Sequence, residues 1–148
     1  MDLDHLTGDR TYDEPGNPER KENNVLVIRG RELEASGTKG NFAGGVATPS
    51  RGATGVSVIR QGQGPGAANP PHSHDREEVM VVLSGTVRVT AEKEDAELSA
   101  GDALIVPANV VHQIETIGET EAEWLLAAPA GVRFLFADGR EASPPWSK

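Results

Sequence analysis

Residues 66–85, which read G-A-A-N-P-P-H-S-H-D-R-E-E-V-M-V-V-L-S-G, decide the fold of this chain. His72 and His74 are two residues apart, so on an extended strand both imidazoles point to the same face. A straight strand would carry Glu78 roughly 20 Å from His72 at about 3.3 Å per residue. The polar residues 75–77 therefore predict a turn, so that the chain forms a hairpin with Glu78 beside His74. Two imidazoles and a carboxylate that converge in this way predict half of a site for a divalent transition metal.

The second arm of this hairpin, residues 78–83, is apolar on both faces. Met80 and Val82 share the parity of Glu78 and are predicted to line the interior. A strand that is apolar on both faces is usually buried on both, so the outer face needs a cover. Either the N-terminal segment or a second subunit would provide it, and we favour a homodimer. The residues of this outer face are Val79, Val81 and Leu83.

Short strands separated by turn-forming residues make up the rest of the pattern. The sequence contains no convincing α-helical period longer than two turns. Residues 31–54, 61–66 and 92–95 are predicted to be loops, the first with at most a short strand. The pattern predicts an all-β domain over residues 25–148, preceded by a polar arm over residues 1–24. Besides 78–83, the predicted strands are 25–29, 56–60, 86–90, 103–106, 110–114, 123–127 and 132–136.

The composition narrows the possible partners and the compartment. The 148 residues carry a formal net charge of −9, which argues against nucleic acid and against an anionic membrane surface as partners. The chain contains no cysteine, so a disulfide framework and a thiolate ligand are excluded. Neither a secretory signal nor a membrane-spanning apolar run is visible. We therefore expect a soluble cytoplasmic protein.

Only four histidines are present, and three of them fall within strand patterns. His112 shares parity with Val110 and Ile114, which predicts that it faces the interior. An ionised Glu78 inside a barrel would be costly unless it were paired with a cation. Three inward imidazoles and one inward carboxylate therefore favour a metal site. His5, in the polar arm, is expected to be exposed and to have no role.

The opening stretch resembles the first motif of the cupin superfamily, G-x5-H-x-H-x3-4-E-x6-G. It matches at every fixed position, namely Gly66, His72, His74, Glu78 and Gly85.

The second cupin motif, G-x5-P-x-G-x2-H-x3-N, is matched over residues 101–116 at Gly101, Pro107 and His112. Asn109 stands where the family has glycine, and Thr116 stands where it has asparagine. Asparagine tolerates a positive φ better than other non-glycine residues, so the turn is expected to survive. The spacing resembles that of small, single-domain bacterial cupins.

This resemblance implies a jelly-roll β-barrel with four metal ligands at one end: His72, His74, Glu78 and His112. Iron, manganese, nickel or cobalt would keep positions open, whereas zinc can be satisfied by four or five ligands. The resemblance implies an enzyme that acts on an anionic or enolic small molecule, with dioxygenase-type oxidation first and Glu78 as the catalytic base. A cyclase or isomerase of the polyketide-pathway type is the alternative, followed by a non-enzymatic binding protein.

Other polar and large side chains near the motifs are further candidates for the site. Glu77 is the alternative ligand to Glu78, although its parity directs it away from the cluster. Arg60 is a candidate contact for a substrate carboxylate, with a solvated strand end as the alternative. Met80 and Trp124 are the remaining candidate substrate contacts, with a place in the core as the alternative for Trp124.

Overall fold

The computed structural model describes residues 18–30, 36–38, 41–142, 144, 147 and 148. Within them the chain forms strands and one short 3-10 helix, Pro49–Arg51, with no α-helix. None of the described segments is a helix that is long and apolar enough to span a bilayer. The strands are β1 Glu19–Arg20, β2 Leu26–Val27, β3 Ser36–Thr38, β4 Asn41–Ala47, β5 Val56–Gln63, β6 His72–His74, β7 Glu78–Ser84, β8 Thr86–Ala91, β9 Glu94–Ser99, β10 Ala103–Val106, β11 His112–Ile117, β12 Ala122–Pro129, β13 Phe134–Phe136 and β14 Glu141–Ala142.

Two six-stranded sheets pack face to face as a jelly roll. The first has the order β10-β7-β12-β5-β4-β3 and the second has the order β14-β13-β6-β11-β8-β9. A separate ribbon pairs β1 with β2, so residues 19–20 of the predicted arm are paired. Residues 1–17 of that arm lie outside the described residues, whereas residues 18–24 are described. The predicted all-β jelly-roll fold is confirmed.

The core lies between the sheets because each long strand alternates inward apolar residues with outward ones. In β7 the inward residues are Met80 and Val82, and in β8 they are Val87 and Val89, as the sequence predicts. Each of these side chains is at most 4% exposed. The remaining buried apolar residues include Ile59, Leu98, Ile114, Ala122, Trp124, Leu126, Val132 and Phe134.

The predicted hairpin between His74 and Glu78 is wrong in one respect. The chain does turn at residues 75–77, but β6 and β7 belong to opposite sheets and are not paired with each other. β6 pairs with β11 and β13, whereas β7 pairs with β10 and β12. The turn is therefore a corner across the sandwich. The backbone N–H of Arg133 donates to Asp75 Oδ1 at 2.7 Å and anchors it.

Several strand boundaries also differ from the prediction. β10 matches the predicted residues 103–106, but β11 begins two residues late. β5 continues through Gln63 into the predicted loop, and β4 runs through residues 41–47, which are also predicted to be a loop. Part of the predicted charged loop, residues 94–95, is strand β9. Glycine and glutamine lower the local strand signal in β4 and β5, whereas pairing of β4 with β5 and of β5 with β12 determines these two strands. β9 is determined by its pairing with β8.

Candidate metal centre

Strand pairing brings the two predicted motifs together. His72 on β6 lies directly opposite His112 on β11 in the antiparallel register. His74 lies opposite Phe134 on the other neighbour, β13. His72 and His74 therefore share the inner face of β6. His112 lies beside them on the neighbouring strand β11.

The three imidazoles form a compact cluster. One nitrogen from each of His72, His74 and His112 lies within 4.8 Å of the corresponding nitrogens of the other two. The ring centroids of His72 and His112 are 4.4 Å apart, and those of His74 and His112 are 5.2 Å apart. Three neutral imidazoles at this spacing could hold one divalent transition metal.

Backbone carbonyls orient two of the three rings. His72 Nδ1 lies 2.8 Å from the carbonyl oxygen of Pro70, and His112 Nδ1 lies 3.0 Å from that of Val110. A carbonyl only accepts hydrogen bonds, so Nδ1 carries the proton and donates in both rings. The neutral tautomer then leaves Nε2 with a free electron pair, which is how metal-binding histidines are commonly held.

The surroundings favour the neutral, metal-binding form of these rings. Burial lowers the pKa of His72 to about 4, and the proximity of His112 adds to the shift. Burial also lowers the pKa of His112 below its ordinary value, although the Val110 carbonyl and the Glu78 carboxylate oppose the shift. At neutral pH both imidazoles are therefore uncharged and need lose no proton to bind a metal.

Glu78 lies next to the cluster. Its Oε2 is 2.6 Å from His74 Nε2, and both side chains are almost completely buried. Two atoms that both carry free electron pairs repel each other at this distance unless a proton or a cation lies between or beside them. The neighbouring Glu77 is exposed, as its parity predicts.

Buried polar atoms without hydrogen bonds test whether the residues fit a metal. His112 Nε2 and His74 Nδ1 are buried without a hydrogen-bond partner among the described residues, and Glu78 Oε2 and His74 Nε2 have no partner there beyond their contact with each other. Buried polar atoms are nearly always paired, so such a concentration in one place requires an explanation. A divalent cation would satisfy Glu78 Oε2, His112 Nε2 and one His74 nitrogen together. The donor set therefore fits a metal.

The turn of the second motif supports the cluster from outside. Asn109 has a φ of 67°, as expected for an asparagine that replaces glycine. Its backbone N–H donates to the carbonyl oxygen of His74 at 2.7 Å, which ties this turn to β6. Thr116 is fully buried, and its carbonyl oxygen accepts from the N–H of Gly66 at 2.9 Å. The second motif thus holds the first in place.

An apolar cavity of about 250 Å³ opens beside the cluster. Of the four candidate ligands, His72 is the one that lines it. The phenyl rings of Phe134 and Phe136 form part of the apolar wall. Phe134 packs edge-on against His74 at 4.6 Å between ring centroids. The other lining residues are Gln61, Asn69, Pro70, Ala142 and Pro144.

A second cavity of about 280 Å³ shares Gln61 and Asn69 with the first and is more polar. Sequence reasoning missed both amides, because the local pattern at Gln61 predicts a loop. Asn69 Oδ1 accepts the N–H of Ile114 at 2.8 Å, so Asn69 links the first motif to β11. For Asn69, its position three residues before His72 was the sequence feature that could have indicated a place near the site.

The three candidate substrate contacts lie in different places. Arg60 is on the outer face of its sheet, where it pairs with Glu123 at 2.5 Å. Met80 is completely buried in the core. Trp124 is buried on the inner face and lines the second cavity. The structure therefore brings Trp124 to a cavity and does not bring Arg60 to the histidine cluster.

Comparison with known protein families and curated proteins agrees with the motifs. Residues 60–128 match the family model described as Cupin domain. Germin-like protein 5-1 of Oryza sativa subsp. japonica is 38% identical over an alignment of 103 residues. The alignment covers 61% of this chain and 47% of that protein. Germin-like protein subfamily 2 member 1 of Arabidopsis thaliana is 38% identical over 85 residues, 53% of this chain and 39% of that protein. The chain thus spans less than half the length of these relatives.

Solved structures show the same fold. The polyketide cyclase RemF from Streptomyces resistomycificus superposes with a TM-score of 0.66 at 18% identity, covering 83% of this chain and 89% of that one. An oxalate oxidase in complex with the substrate analogue glycolate superposes with a TM-score of 0.61 at 24% identity, covering 69% of this chain and 57% of that one. At these identities the likeness concerns the fold alone.

Proposed function

We propose that the protein is a metal-dependent cupin enzyme that acts on a small anionic or enolic molecule, in agreement with the match of residues 60–128 to the Cupin domain model. The proposal rests on one observation. Ring nitrogens of His74 and His112 and one oxygen of Glu78 are buried, and none of them has a hydrogen-bond partner among the described residues outside this group. His72, whose ring nitrogen lies within 4.8 Å of those of His74 and His112, lines an apolar cavity that could admit a small molecule. We propose residues 25–148 as the cupin domain, with the β1–β2 ribbon at its start. A cytoplasmic location stays a prediction.

We propose Glu78 as the fourth ligand. A divalent ion, three neutral imidazoles and one carboxylate leave a single net positive charge, which suits an anionic ligand with two oxygens. A metal bound there supplies Lewis-acid activation and, if it is redox-active, electron transfer to dioxygen. When its carboxylate is not bound to the cation, Glu78 would take a proton from the substrate, and the rings of Phe134 and Phe136 would exclude water. The same residues suit oxidation and isomerisation.

The ligand role of Glu78 can be separated from that of Glu77 by paired substitutions. We expect Glu78→Gln to lower metal affinity by about 100-fold, because the proposed ligand set then loses its only anion. Residues that merely support a metal ligand are worth about 10–100-fold in affinity, so a ligand should be worth at least the upper end of that range. Glu77→Gln is the matched control, because this exposed carboxylate lies one residue away. Isothermal titration with Zn²⁺ measures both. A larger loss in Glu77→Gln would move the ligand to that residue.

The nature of the reaction is tested by the metal and its response to oxygen. We place dioxygenase-type oxidation first, because the open cavity beside His72 leaves room for a ligand next to the cluster. The fold shared with a polyketide cyclase makes cyclisation or isomerisation the second candidate.

The experiment is elemental analysis of protein purified without oxygen or added metal, followed by oxygen-uptake assays with enolic, catecholic and dicarboxylate compounds. Iron, manganese or nickel with oxygen uptake supports oxidation. Zinc with product formation but no uptake supports cyclisation, and absence of both metal and turnover contradicts an enzyme.

We also propose a homodimer that forms through the outer face of the first sheet. Cross-strand register places Ile105, Val79 and Ala127 in one row, and Ala103, Val81 and Leu125 in the next. Ile105 is 64% exposed and Val81 is 36% exposed. A contiguous apolar patch of this kind marks an interaction surface, and the same patch on a second copy can cover it about a two-fold axis.

The dimer is tested by placing a charge at the centre of this face. We expect Val81→Asp to convert the dimer into a monomer, because two carboxylates would face each other across the two-fold axis. Thr90→Asp, on the exposed face of β8, is the control and should leave the mass unchanged. Sedimentation equilibrium measures the mass. A monomeric parent protein would contradict the dimer and favour the alternative cover, the N-terminal arm.

A further inference from the structure

Gln61 and Trp124 form a cross-strand pair on the inner face of the first sheet. They lie directly opposite each other in the β5–β12 register. Trp124 Nε1 donates to Gln61 Oε1 at 2.9 Å, and the indole is 1% exposed. The rigid, buried indole therefore fixes one end of the Gln61 side chain.

The chemistry of the indole decides which way the amide faces. An indole N–H can donate but cannot accept, so the amide oxygen has to be the atom that faces Trp124. The NH2 group of Gln61 is then directed elsewhere. It makes no hydrogen bond to any other residue in the part of the chain that the structure describes. Two N–H donors are thus left for a ligand.

Gln61 occupies the wall common to both cavities. The first cavity is also lined by His72, and the second by Trp124. Because the wall around His72 is otherwise largely apolar, a hydrogen-bond donor there acts in a medium that strengthens it. A donor oriented before binding costs little reorganisation when the ligand enters.

We infer that Gln61 is a substrate-binding residue that determines specificity, with its NH2 group, oriented by Trp124, donating to a carboxylate, enolate or carbonyl oxygen of the ligand. The inference rests on the proposed function, because it assumes that the ligand enters the cavity at His72. It adds the substrate class: a molecule that carries a hydrogen-bond-accepting oxygen beyond the atoms held at the histidine cluster. Trp124 is a positioning residue, because it acts through Gln61.

The test uses Co²⁺-loaded protein titrated with two probes, oxalate and imidazole, and followed by visible absorption. Gln61→Glu keeps an oxygen for the Trp124 N–H but removes the NH2 donors and adds a negative charge. We expect it to weaken oxalate binding by at least about 10-fold, in the range for a lost hydrogen bond to a charged group. Imidazole, which has no oxygen for Gln61, should bind unchanged.

Matched variants separate the donor from the charge and from the fold. Gln61→Met is neutral and close in size, and it should also weaken oxalate binding, although less than Gln61→Glu. Ala100→Glu adds the same charge in an exposed turn and should change neither titration. Unaltered oxalate affinity in both Gln61 variants would overturn the inference. Equal weakening of oxalate and imidazole would overturn it too, because Gln61 would then act on the metal site itself.

A metal-free readout keeps this inference distinct from the proposed function. If the parent protein binds no Co²⁺, the proposed function fails. Oxalate titration is then followed by the fluorescence of Trp124 in a Trp146→Phe background, which leaves one tryptophan. An emission change that is lost in Gln61→Glu would support the inference without a metal. No emission change in the parent protein would overturn it.

Discussion

Replacing either His74 or His112 by alanine is expected to abolish stoichiometric metal binding. Each residue supplies a buried nitrogen without a hydrogen-bond partner among the described residues, and each lies with the other two histidines inside a 4.8 Å cluster. Groups that merely support a ligand are worth about 10–100-fold in affinity, so loss of a ligand should cost about 100-fold or more. Elemental analysis after purification without added metal measures occupancy, and titration with Zn²⁺ measures affinity.

His5→Ala is the matched control for these two variants, because His5 is the remaining histidine of the chain and is expected to have no role. It should retain the full metal content. Circular dichroism and thermal unfolding check that the two cluster variants still fold, since each removes a buried ring. Full metal in both His74→Ala and His112→Ala would refute the site.

Replacing Gly85 by alanine is expected to cause the largest loss of stability among the glycine substitutions considered. Gly85 has a φ of 75°, where a side chain is strained. A Cβ atom there would lie 2.5 Å from the carbonyl oxygen of Glu121 and 2.7 Å from Cα of Ala122. Both contacts are with the backbone before and at the start of β12, which cannot move without shifting the sheet. Left-handed strain costs about 1–2 kcal/mol and overpacking about 1–3 kcal/mol, so we expect a loss of about 3 kcal/mol.

Gly101→Ala separates the strain from the clash. Gly101 has a similar φ of 91°, but no atom lies within 4 Å of the position that a Cβ would take there. This variant should lose only about 1 kcal/mol, the cost of the backbone strain alone. Urea unfolding compares the two free energies, and the melting temperature of Gly85→Ala should fall by about 10 °C. Equal losses in the two variants would contradict the close approach of β12.

The local pattern predicts one inward direction for His72, His74 and Glu78. Alternation by two places His72 and His74 on one face, and the polar residues 75–77 require a turn before Glu78. The same alternation predicts Met80 and Val82 in the core and Val81 on the outer face. In the structure Met80 and Val82 are buried and Val81 is exposed. These features depend on residues close together in the chain, where the pleat alone determines direction.

Pairing between strands that are distant in sequence determined two features that the local pattern does not predict: the strand conformation of residues 61–63 and the orientation of Gln61. Residues 61–63 carry two glutamines and a glycine, which favour a loop locally, yet β12 pairs with all three and makes them strand. The same pairing sets Gln61 opposite Trp124 and so turns its amide toward the cavities. A residue far along the chain provides this orientation, so no local spacing could reveal it.

The stretch at residues 66–85 shows where this division falls. By itself the sequence determined that two imidazoles and a carboxylate share an inward direction, because side-chain parity is a property of each strand. Only the tertiary structure decided that β6 and β7 lie in opposite sheets, that His112 is the residue opposite His72, and that Gly85 lies against Ala122. Sheet membership and register follow from contacts between residues far apart in sequence, whose free energy is gained only when the whole sandwich assembles.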